Sequence, residues 1–187
     1  MTERVERALA FSRIAHAEQV RKYSGIPYWT HPLAVADIVA TVTDDEDMYI
    51  AALLHDTIED TVTTDEDIDL FFGSKIANLV VELTDISVPS DGNRETRKAI
   101  DRNKLAMVSA AAQTIKLADL LHNTPSIVWE GDIGFARIYL NEKAQLLDVL
   151  SNGDESLMVK SRILMVESLM HIKHIEETLS VLSTETS

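Results

Sequence analysis

One short segment concentrates ionisable side chains that could do chemistry, and it reads IAALLHDTIED over residues 50–60. His55 and Asp56 are adjacent, and Glu59 and Asp60 follow about one helical turn later. A helix with about 100° per residue places all four groups on one face and leaves the other face apolar. Carboxylates this close repel each other unless a cation or shared protons compensate their charge. The pattern indicates a metal or acid–base site; its alternative is an acidic amphipathic surface helix in which His55 is incidental.

Further ligands for a metal ion must come from other segments, because helical spacing alone cannot supply them all. His31 stands at the predicted start of a helix, immediately before a proline. The segment IKLADLLHN over residues 115–123 displays Asp119 and Asn123 four residues apart on one helical face. An apolar helix is an unusual place for a single unpaired aspartate. His31 and Asp119 are therefore candidate ligands, whereas His122 is interpreted as a structural residue.

Helical periodicity dominates the chain, and no alternating run is typical of a strand. Only six glycines and four prolines interrupt the pattern. We predict a loop over residues 23–30, a short helix opened by Thr64 and Asp67, and longer helices over residues 3–22, 32–42, 47–60, 73–83, 94–112, 114–123, 135–150 and 155–182. These elements predict an all-α fold, a single domain over residues 1–187 built as a bundle of about eight to ten helices. Its last helix either packs on the domain or mediates oligomerisation.

Composition and charge exclude several classes of protein. The 187 residues include 17 basic and 31 acidic ones, which gives a net charge of −14. This charge argues against binding to a nucleic-acid polymer, whose backbone attracts a basic surface. Cysteine is absent, so disulfide frameworks and thiolate metal sites are excluded. No apolar run approaches the roughly 20 residues of a membrane span, and the charged first turn is unlike a signal peptide, so we expect a cytoplasmic protein.

Several short blocks, in a fixed order along the chain, match a known family. The blocks are RK at residues 21–22, SG and PY in the loop that follows, HP at 31–32, HDTIEDT at 55–61, FG at 72–73 and IKLADLLHN at 115–123. In these blocks the chain resembles the HD-domain phosphohydrolases, and within them the hydrolase domain of the RelA/SpoT alarmone enzymes and their small stand-alone relatives. The resemblance extends over residues 4–128, two thirds of the chain.

The resemblance implies a hydrolase that uses one divalent metal ion. The ligands would be four side chains, His31, His55, Asp56 and Asp119. Two imidazoles and two carboxylates without sulfur suit Mn²⁺, although Zn²⁺, Fe²⁺ and Co²⁺ would also bind. Glu59 and Asp60 would be the catalytic residues that orient or deprotonate the attacking water. The implied reaction removes the 3′-pyrophosphate of guanosine tetra- or pentaphosphate, (p)ppGpp, and yields GDP or GTP and pyrophosphate.

The resemblance also implies a nucleotide pocket lined by Arg21 and Lys22, which fall at the end of the first predicted helix. An arginine can stack on a purine or fork a phosphate, and a lysine supplies a point charge. The alternative is that both cations only complement the negative end of their helix. Asn123 would hold the ribose or a phosphate oxygen, and Ser24 would contact the base edge.

The match fails where the family commonly carries arginines, because Leu120 and the pair Thr124-Pro125 stand at those places. Either other residues meet the phosphates or the substrate differs. Replacement cations could be Lys116, Arg137 or Lys143, or a cluster made of Arg94, Arg97, Lys98, Arg102 and Lys104. The alternative functions are an HD-domain hydrolase of another nucleotide, such as (p)ppApp, a dNTP or a nucleoside 5′-monophosphate, and a non-catalytic alarmone-binding protein. We expect a small-molecule nucleotide substrate and leave a homodimer open.

Overall fold

The computed structural model describes residues 1–185. All regular secondary structure in that range is helical, and the range contains no β-strand. Ten α-helices and one 3₁₀ turn, Pro89–Asp91, occur among the described residues. The helices are α1 (Glu3–Ala15), α2 (Thr30–Val39), α3 (Glu46–Leu54), α4 (Thr57–Asp60), α5 (Asp65–Phe72), α6 (Ser74–Leu83), α7 (Arg94–Leu105), α8 (Ala110–Trp129), α9 (Ile133–Val149) and α10 (Glu155–Glu185). The predicted all-α fold is therefore confirmed.

α3 is the central helix of the bundle. Every residue from Ile50 to Leu54 is fully buried, because α1, α2, α6 and α8 pack around this helix. A helix that is apolar on every side belongs in a core rather than on a surface. The alternative of an acidic amphipathic surface helix is therefore wrong for α3, whose acidic residues lie only at its start.

The first helix ends earlier than its sequence pattern predicts. α1 stops at Ala15, and the chain then forms a loop with several turns that leads to α2. Backbone hydrogen bonds close this loop, with Arg21 N–H donating to Ile26 C=O (2.8 Å) and Gly25 N–H donating to Arg21 C=O (2.9 Å). Gly25 has φ of 70°, a conformation that favours glycine. Arg21 and Lys22 therefore do not end a helix, so a helix dipole does not explain them.

The predicted single helix over residues 47–60 is wrong, because it is broken after Leu54. The single turn α4 begins only at Thr57. Side chains take over the last carbonyl groups of α3 at this break. The Thr57 hydroxyl donates to Leu54 C=O (2.7 Å), and His55 Nδ1 donates to Ala52 C=O (2.8 Å). The break thus places the histidine–aspartate pair at a junction and not on a continuous helical face.

α8 is longer at both ends than the sequence pattern predicts. It begins at Ala110, inside the range assigned to the preceding helix, and ends at Trp129. The predicted stop near Pro125 is wrong, because this proline is accommodated within the helix with its side chain exposed. The neighbouring Thr124 hydroxyl donates to Leu120 C=O (2.5 Å). α8 is therefore one continuous helix that packs against α2, α9 and α10.

α7 ends at Leu105, well before the predicted end at residue 112, and the remaining boundaries agree with the prediction to within a few residues. α5 follows a capping box, in which Thr64 Oγ1 accepts from Asp67 N–H and Asp67 Oδ2 accepts from Thr64 N–H. α10 extends to Glu185 and packs against α8 and α9, with Leu157 and Ile172 buried. No helix within residues 1–185 is long and apolar enough to cross a membrane.

Asp101 of α7 fixes the segment that connects α6 to the 3₁₀ turn. Its Oδ1 accepts hydrogen bonds from the Ile86 and Ser87 N–H groups (3.0 and 2.9 Å), and its Oδ2 accepts from the Ser87 hydroxyl (2.7 Å). Desolvation opposes ionisation of this buried residue, but these hydrogen bonds and the charge of Lys98 hold the pKa of Asp101 below its usual value. Asp101 therefore stabilises the fold as a carboxylate.

We predict that Asp101→Asn lowers the free energy of unfolding at pH 7 by about 1–3 kcal/mol, because an amide replaces a buried acceptor of several N–H and O–H groups. A lowered folded-state pKa gives stability that is complete above the unfolded pKa, near pH 4, and is lost as the pH falls through the folded pKa. Thermal unfolding should therefore show a Tm gap between wild type and variant that narrows below about pH 4. The exposed Asp69→Asn is the control, and a gap that stays constant into acid would contradict the prediction.

Candidate metal centre

Three parts of the fold bring the four predicted metal ligands together. His31 lies in the first turn of α2, His55 and Asp56 form the junction of α3 with α4, and Asp119 lies in the middle of α8. His31 Nε2 is 3.2 Å from Asp119 Oδ1 and 3.5 Å from Asp56 Oδ2. His55 Nε2 is 3.2 Å from Asp56 Oδ1 and 3.9 Å from Asp119 Oδ1. Each imidazole therefore faces both carboxylates across one small space.

These side chains fit a divalent cation. His31, His55 and Asp56 each offer one ligand atom, and the three atoms lie within 4.8 Å of one another. His55 Nε2 is buried and makes no hydrogen bond to any residue of the described chain. Buried polar atoms without a partner are rare in folded proteins and require an explanation. A donor set of imidazoles and carboxylates supplies one, because it is typical of sites for divalent transition metals.

The remaining ring nitrogens hold the two imidazoles in place. His55 Nδ1 donates to Ala52 C=O (2.8 Å), so His55 Nε2 presents a lone pair to the site. His31 Nδ1 lies 2.7 Å from His122 Nδ1, and the two rings stack with their centroids 4.9 Å apart. Histidines that bind metals are generally oriented in this way, by a hydrogen bond at the nitrogen opposite the ion.

His122 contacts the site, although the sequence analysis assigns it only a structural role. Burial and the nearby charges of His31 and Arg21 lower the pKa of His122 to about 4. Its ring is therefore neutral at neutral pH, and its Nδ1 can accept a hydrogen bond from His31 Nδ1–H. His31 Nε2 then carries the lone pair that faces the carboxylates. The signal in the sequence is the spacing, because His122 follows Asp119 by three residues on one helix.

Asp119 is buried as a carboxylate because two side chains of its own helix support it. Lys116 Nζ donates to Asp119 Oδ2 (2.8 Å), and Asn123 Nδ2 donates to Asp119 Oδ1 (2.6 Å). Burial by itself would raise the pKa of Asp119, but the charge of Lys116 and the contact with His31 hold it well below its usual range. Lys116 is thus engaged by Asp119 and does not stand free for a phosphate.

Tyr28 supports the second carboxylate of the site. Its hydroxyl donates to Asp56 Oδ2 (2.8 Å). Burial and the adjacent Asp56 raise the pKa of Tyr28, so the phenol stays protonated and continues to donate. Desolvation opposes ionisation of Asp56, but His55 and His31 hold the pKa of this carboxyl below its usual value. Tyr28 lies in a matched sequence block, yet the sequence analysis assigns it no role.

Glu59 and Asp60, the predicted catalytic residues, lie on α4 beyond Asp56 and are exposed to solvent. Glu59 Oε2 accepts a hydrogen bond from Asp85 N–H (3.2 Å). Partial desolvation and the charge of Asp85 raise the pKa of Glu59. Partial desolvation and the charge of Asp56 raise the pKa of Asp60. A carboxylate with a raised pKa is better matched to proton transfer near neutral pH than an ordinary one.

Comparison with known proteins identifies the family of this chain. The family model described as HD domain matches residues 8–130, which is more than half of the chain. The chain belongs to the HD domain family. A solved structure, described as a metazoan ortholog of SpoT that hydrolyzes ppGpp and plays a role in starvation responses, is similar to this HD domain with a TM-score of 0.82. The two are 27% identical, and the match covers 89% of this chain and 96% of the other.

The HD domain also matches parts of two much longer bacterial proteins. It is 40% identical to a GTP pyrophosphokinase of Myxococcus xanthus over 127 residues, which cover 64% of this chain and 16% of that protein. It is 40% identical to the bifunctional (p)ppGpp synthase/hydrolase SpoT of Escherichia coli K12 over 126 residues, which cover 65% of this chain and 18% of that protein. The chain therefore spans less than a fifth of the length of these curated relatives.

The predicted substrate residues of the HD domain line one cavity of about 280 Å³, which we call the aromatic cavity. Its lining combines these four residues with aromatic side chains: Arg21, Lys22, Ser24 and Asn123 with Tyr23, Tyr28 and Phe135. Arg21 Nη2 donates to Asn123 Oδ1 (2.7 Å), and Asn123 in turn contacts Asp119. Lys22 Nζ lies 5.4 Å from the centroid of the Phe135 ring. Flat faces and positive charge in one cavity suit a purine nucleotide.

The candidate replacement cations of the HD domain have different surroundings. Arg137 forms an ion pair with Glu176 of α10. Lys143 is fully buried and donates to the Thr124 hydroxyl (2.8 Å). Three cations of α7 have partners: Arg94 on Glu142, Lys98 on Asp85, and Lys104 on the Val81 and Thr84 carbonyls. The other two, Arg97 and Arg102, make no ion pair within the described residues.

We predict that His122→Phe weakens Mn²⁺ binding about 10–100-fold, because phenylalanine keeps the stack on His31 but cannot accept its Nδ1–H. His122→Asn keeps an acceptor and should lie closer to wild type. Isothermal titration of Mn²⁺ into the metal-free protein measures both affinities. Equal affinity of His122→Phe and wild type would show that the contact between the two histidines does not orient His31.

Proposed function

We propose that this HD domain is a metal-dependent hydrolase that removes the 3′-pyrophosphate of (p)ppGpp-type alarmones and releases GDP or GTP and pyrophosphate. The observation that carries the proposal is the convergence of the metal-ligand quartet with the aromatic cavity. Asn123 belongs to both, because it contacts Asp119 and lines the cavity beside Arg21. A bound purine nucleotide would therefore hold its phosphate ester against the metal ligands.

The likeness to known proteins supports the same substrate class. The structure described as a ppGpp-hydrolysing ortholog of SpoT matches nearly the whole length of both chains. A relative from Aquifex aeolicus, 39% identical over 128 residues, is named a guanosine-3′,5′-bis(diphosphate) 3′-pyrophosphohydrolase. The Myxococcus relative, named for synthesis, and the Aquifex relative both match this chain over less than a fifth of their own length. The structure described as a ppGpp-hydrolysing ortholog, whose chain is covered to 96%, is therefore the comparison that favours hydrolysis.

We propose His31, His55, Asp56 and Asp119 as the ligands of one Mn²⁺ ion. Two imidazoles and two carboxylates without sulfur are an appropriate donor set for this ion. When bound, a divalent ion acts as a Lewis acid on phosphoryl oxygens and lowers the pKa of water. Lys116 and Tyr28 keep the two aspartates oriented by donating to Asp119 Oδ2 and Asp56 Oδ2.

The chain's own acids then handle the proton of the attacking water. Glu59 and Asp60 lie next to the ligand Asp56, and the pKa of each is raised by desolvation and neighbouring charge. The water oxygen bonds to the phosphorus next to the ribose, and the bond from that phosphorus to the 3′-oxygen breaks. Either carboxylate can accept the water proton, and the departing 3′-oxygen takes up a proton to become the 3′-hydroxyl of GDP or GTP. Arg21 supplies a positive charge in the aromatic cavity, where its guanidinium donates to Asn123 Oδ1. The general base thus comes from α4, as Glu59 or Asp60, and the positive charge that orients the substrate comes from Arg21 in the loop before α2.

A second candidate is hydrolysis of another nucleotide, such as (p)ppApp. The observation that favours it is that Leu120, Thr124 and Pro125, which stand where the family resemblance implies arginines, carry no charge. Purified Mn²⁺-loaded protein should be incubated with ppGpp, ppApp, GTP, dGTP and AMP, and the products separated by anion exchange. We predict GDP and pyrophosphate from ppGpp. Hydrolysis of ppApp, or of a nucleotide without a 3′-pyrophosphate, in a sample that leaves ppGpp intact would contradict the assignment of a guanosine substrate.

We predict that Glu59→Gln retains Mn²⁺ but lowers kcat by about 100-fold or more, because glutamine cannot accept the proton of water. The exposed Glu66→Gln on α5 is the matched control and should leave kcat unchanged. Metal content and turnover are measured on the same samples. Wild-type kcat in Glu59→Gln would show that Glu59 does not act as the general base.

We further propose that residues 1–187 form a single domain that acts in the cytoplasm on a nucleotide and not on a nucleic-acid polymer. The net charge of −14 supports this choice, since a polyanion would be repelled. Exposed apolar residues on α10, among them Ile163, Val166 and Leu169, could pair two copies of the chain as a homodimer.

A further inference from the structure

A second cavity beside the metal ligands has an unusual charge balance. It encloses about 170 Å³ and lies between α7, α8 and α9, with Asp119 and Asn123 in its wall. Five cations and four carboxylates line it, an excess of one positive charge, although acidic residues outnumber basic ones by 31 to 17 in the whole chain. We call this space the cationic cavity. Such a local excess of positive charge favours an anionic ligand.

Lys143 of α9 is the buried cation of this cavity. It is 0% exposed, and its Nζ donates to the Thr124 hydroxyl (2.8 Å). It makes no ion pair with any carboxylate in the described part of the chain, and desolvation lowers its pKa to about 8. A buried ammonium without a counter-charge is destabilising unless a ligand compensates it. A lysine ammonium has three N–H donors, and the hydrogen bond to Thr124 uses one, so the others can bind an anion.

Arg102 of α7 faces the same cavity. It is half-buried and, like Lys143, has no carboxylate partner among residues 1–185. The neighbouring cations differ, since Arg94 binds Glu142, Lys98 binds Asp85 and Lys116 binds Asp119. Two uncompensated cations from two helices thus converge on one space.

We propose that Lys143 and Arg102 form an anion subsite that holds the pyrophosphoryl group released by hydrolysis. This inference rests on the proposed function and assigns the substrate's two ends to two cavities. Asn123 and Asp119 mark the boundary, because Asn123 lines both cavities and Asp119 lines the cationic one. The aromatic cavity receives the nucleoside, and the cationic cavity receives the phosphates beyond the metal ligands.

The subsite lies beside the positions at which the family resemblance implies arginines. Leu120 and the pair Thr124-Pro125 occupy those positions on α8, and none of the three carries a charge. Lys143 reaches the same region from α9, where Thr124 Oγ1 accepts its hydrogen bond. The hydroxyl of Tyr139, one turn before Lys143, lies 3.1 Å from Thr124 Oγ1. Lys143 therefore supplies a positive charge from α9 beside uncharged positions of α8.

The test compares Lys143→Met with Lys160→Met, an exposed control on α10. Pyrophosphate is titrated into Mn²⁺-loaded protein, with both solutions at the same excess of Mn²⁺, and Tm is recorded for each variant. We expect Lys143→Met to weaken pyrophosphate binding about tenfold or more, as for loss of a hydrogen bond to a charged group. Its Tm should be unchanged or higher, because an uncompensated buried charge is removed. Lys160→Met should match wild type in both measurements.

Wild-type affinity in Lys143→Met, or no pyrophosphate binding by wild type, would overturn the subsite. If Lys143→Met does not fold, Arg102→Met decides: weakened binding supports the subsite and wild-type affinity overturns it. Pyrophosphate binding that depends on Lys143 in a protein that does not cleave ppGpp would contradict the proposed function alone. Cleavage of ppGpp with pyrophosphate binding unaffected by either substitution would contradict the subsite alone.

Discussion

The structure depends on keeping two carboxylates, Asp56 and Asp119, close together beside the same pair of buried imidazoles. The two histidines and Lys116 compensate the repulsion between these carboxylates. His31 Nε2 lies within 3.5 Å of an oxygen from each aspartate. The ligands come from α2, α8 and the junction after α3, so the packing of these helices must fix three backbones at once. Fully buried apolar residues at Val35, Ala51 and Ala118 supply that rigidity. The free energy gained by burying these apolar side chains thus offsets the desolvation penalty of the buried charged groups.

A second layer of contacts decides what the charged groups can do. Lys116 and Tyr28 donate to the Oδ2 atoms of Asp119 and Asp56, while His122 and the Ala52 carbonyl contact the Nδ1 atoms of the two histidines. Both Nε2 atoms and both Oδ1 atoms therefore stay directed at the shared space, and contacts of this kind raise the affinity of a site for a metal ion. Cavities of different character meet at this centre, one aromatic and one cationic. Asn123 lines both cavities.

The convergence of His31, His55, Asp56 and Asp119 could be predicted because they stand in short blocks whose residue types and order are specific. Helix boundaries could not, because apolar periodicity continues past Ala15, Leu54 and Pro125, where contacts with other elements decide where a helix ends. The contact of His122 with His31 joins residues 91 positions apart, so one helix alone does not reveal it. Lys143 is ambiguous in the same way, since only the packing of α9 on α8 shows its burial and its lack of a carboxylate partner.

Uptake of Mn²⁺ by the metal-free chain tests the central claim most directly, namely that these four side chains form one metal site. Isothermal titration gives the stoichiometry, and the change in Tm on saturation shows that the ion binds the folded state. A single ion should bind per chain and raise Tm, and Asp119→Ala should abolish both effects. The claim would be contradicted by a chain that takes up no ion, or by an Asp119→Ala variant that binds Mn²⁺ as tightly as wild type.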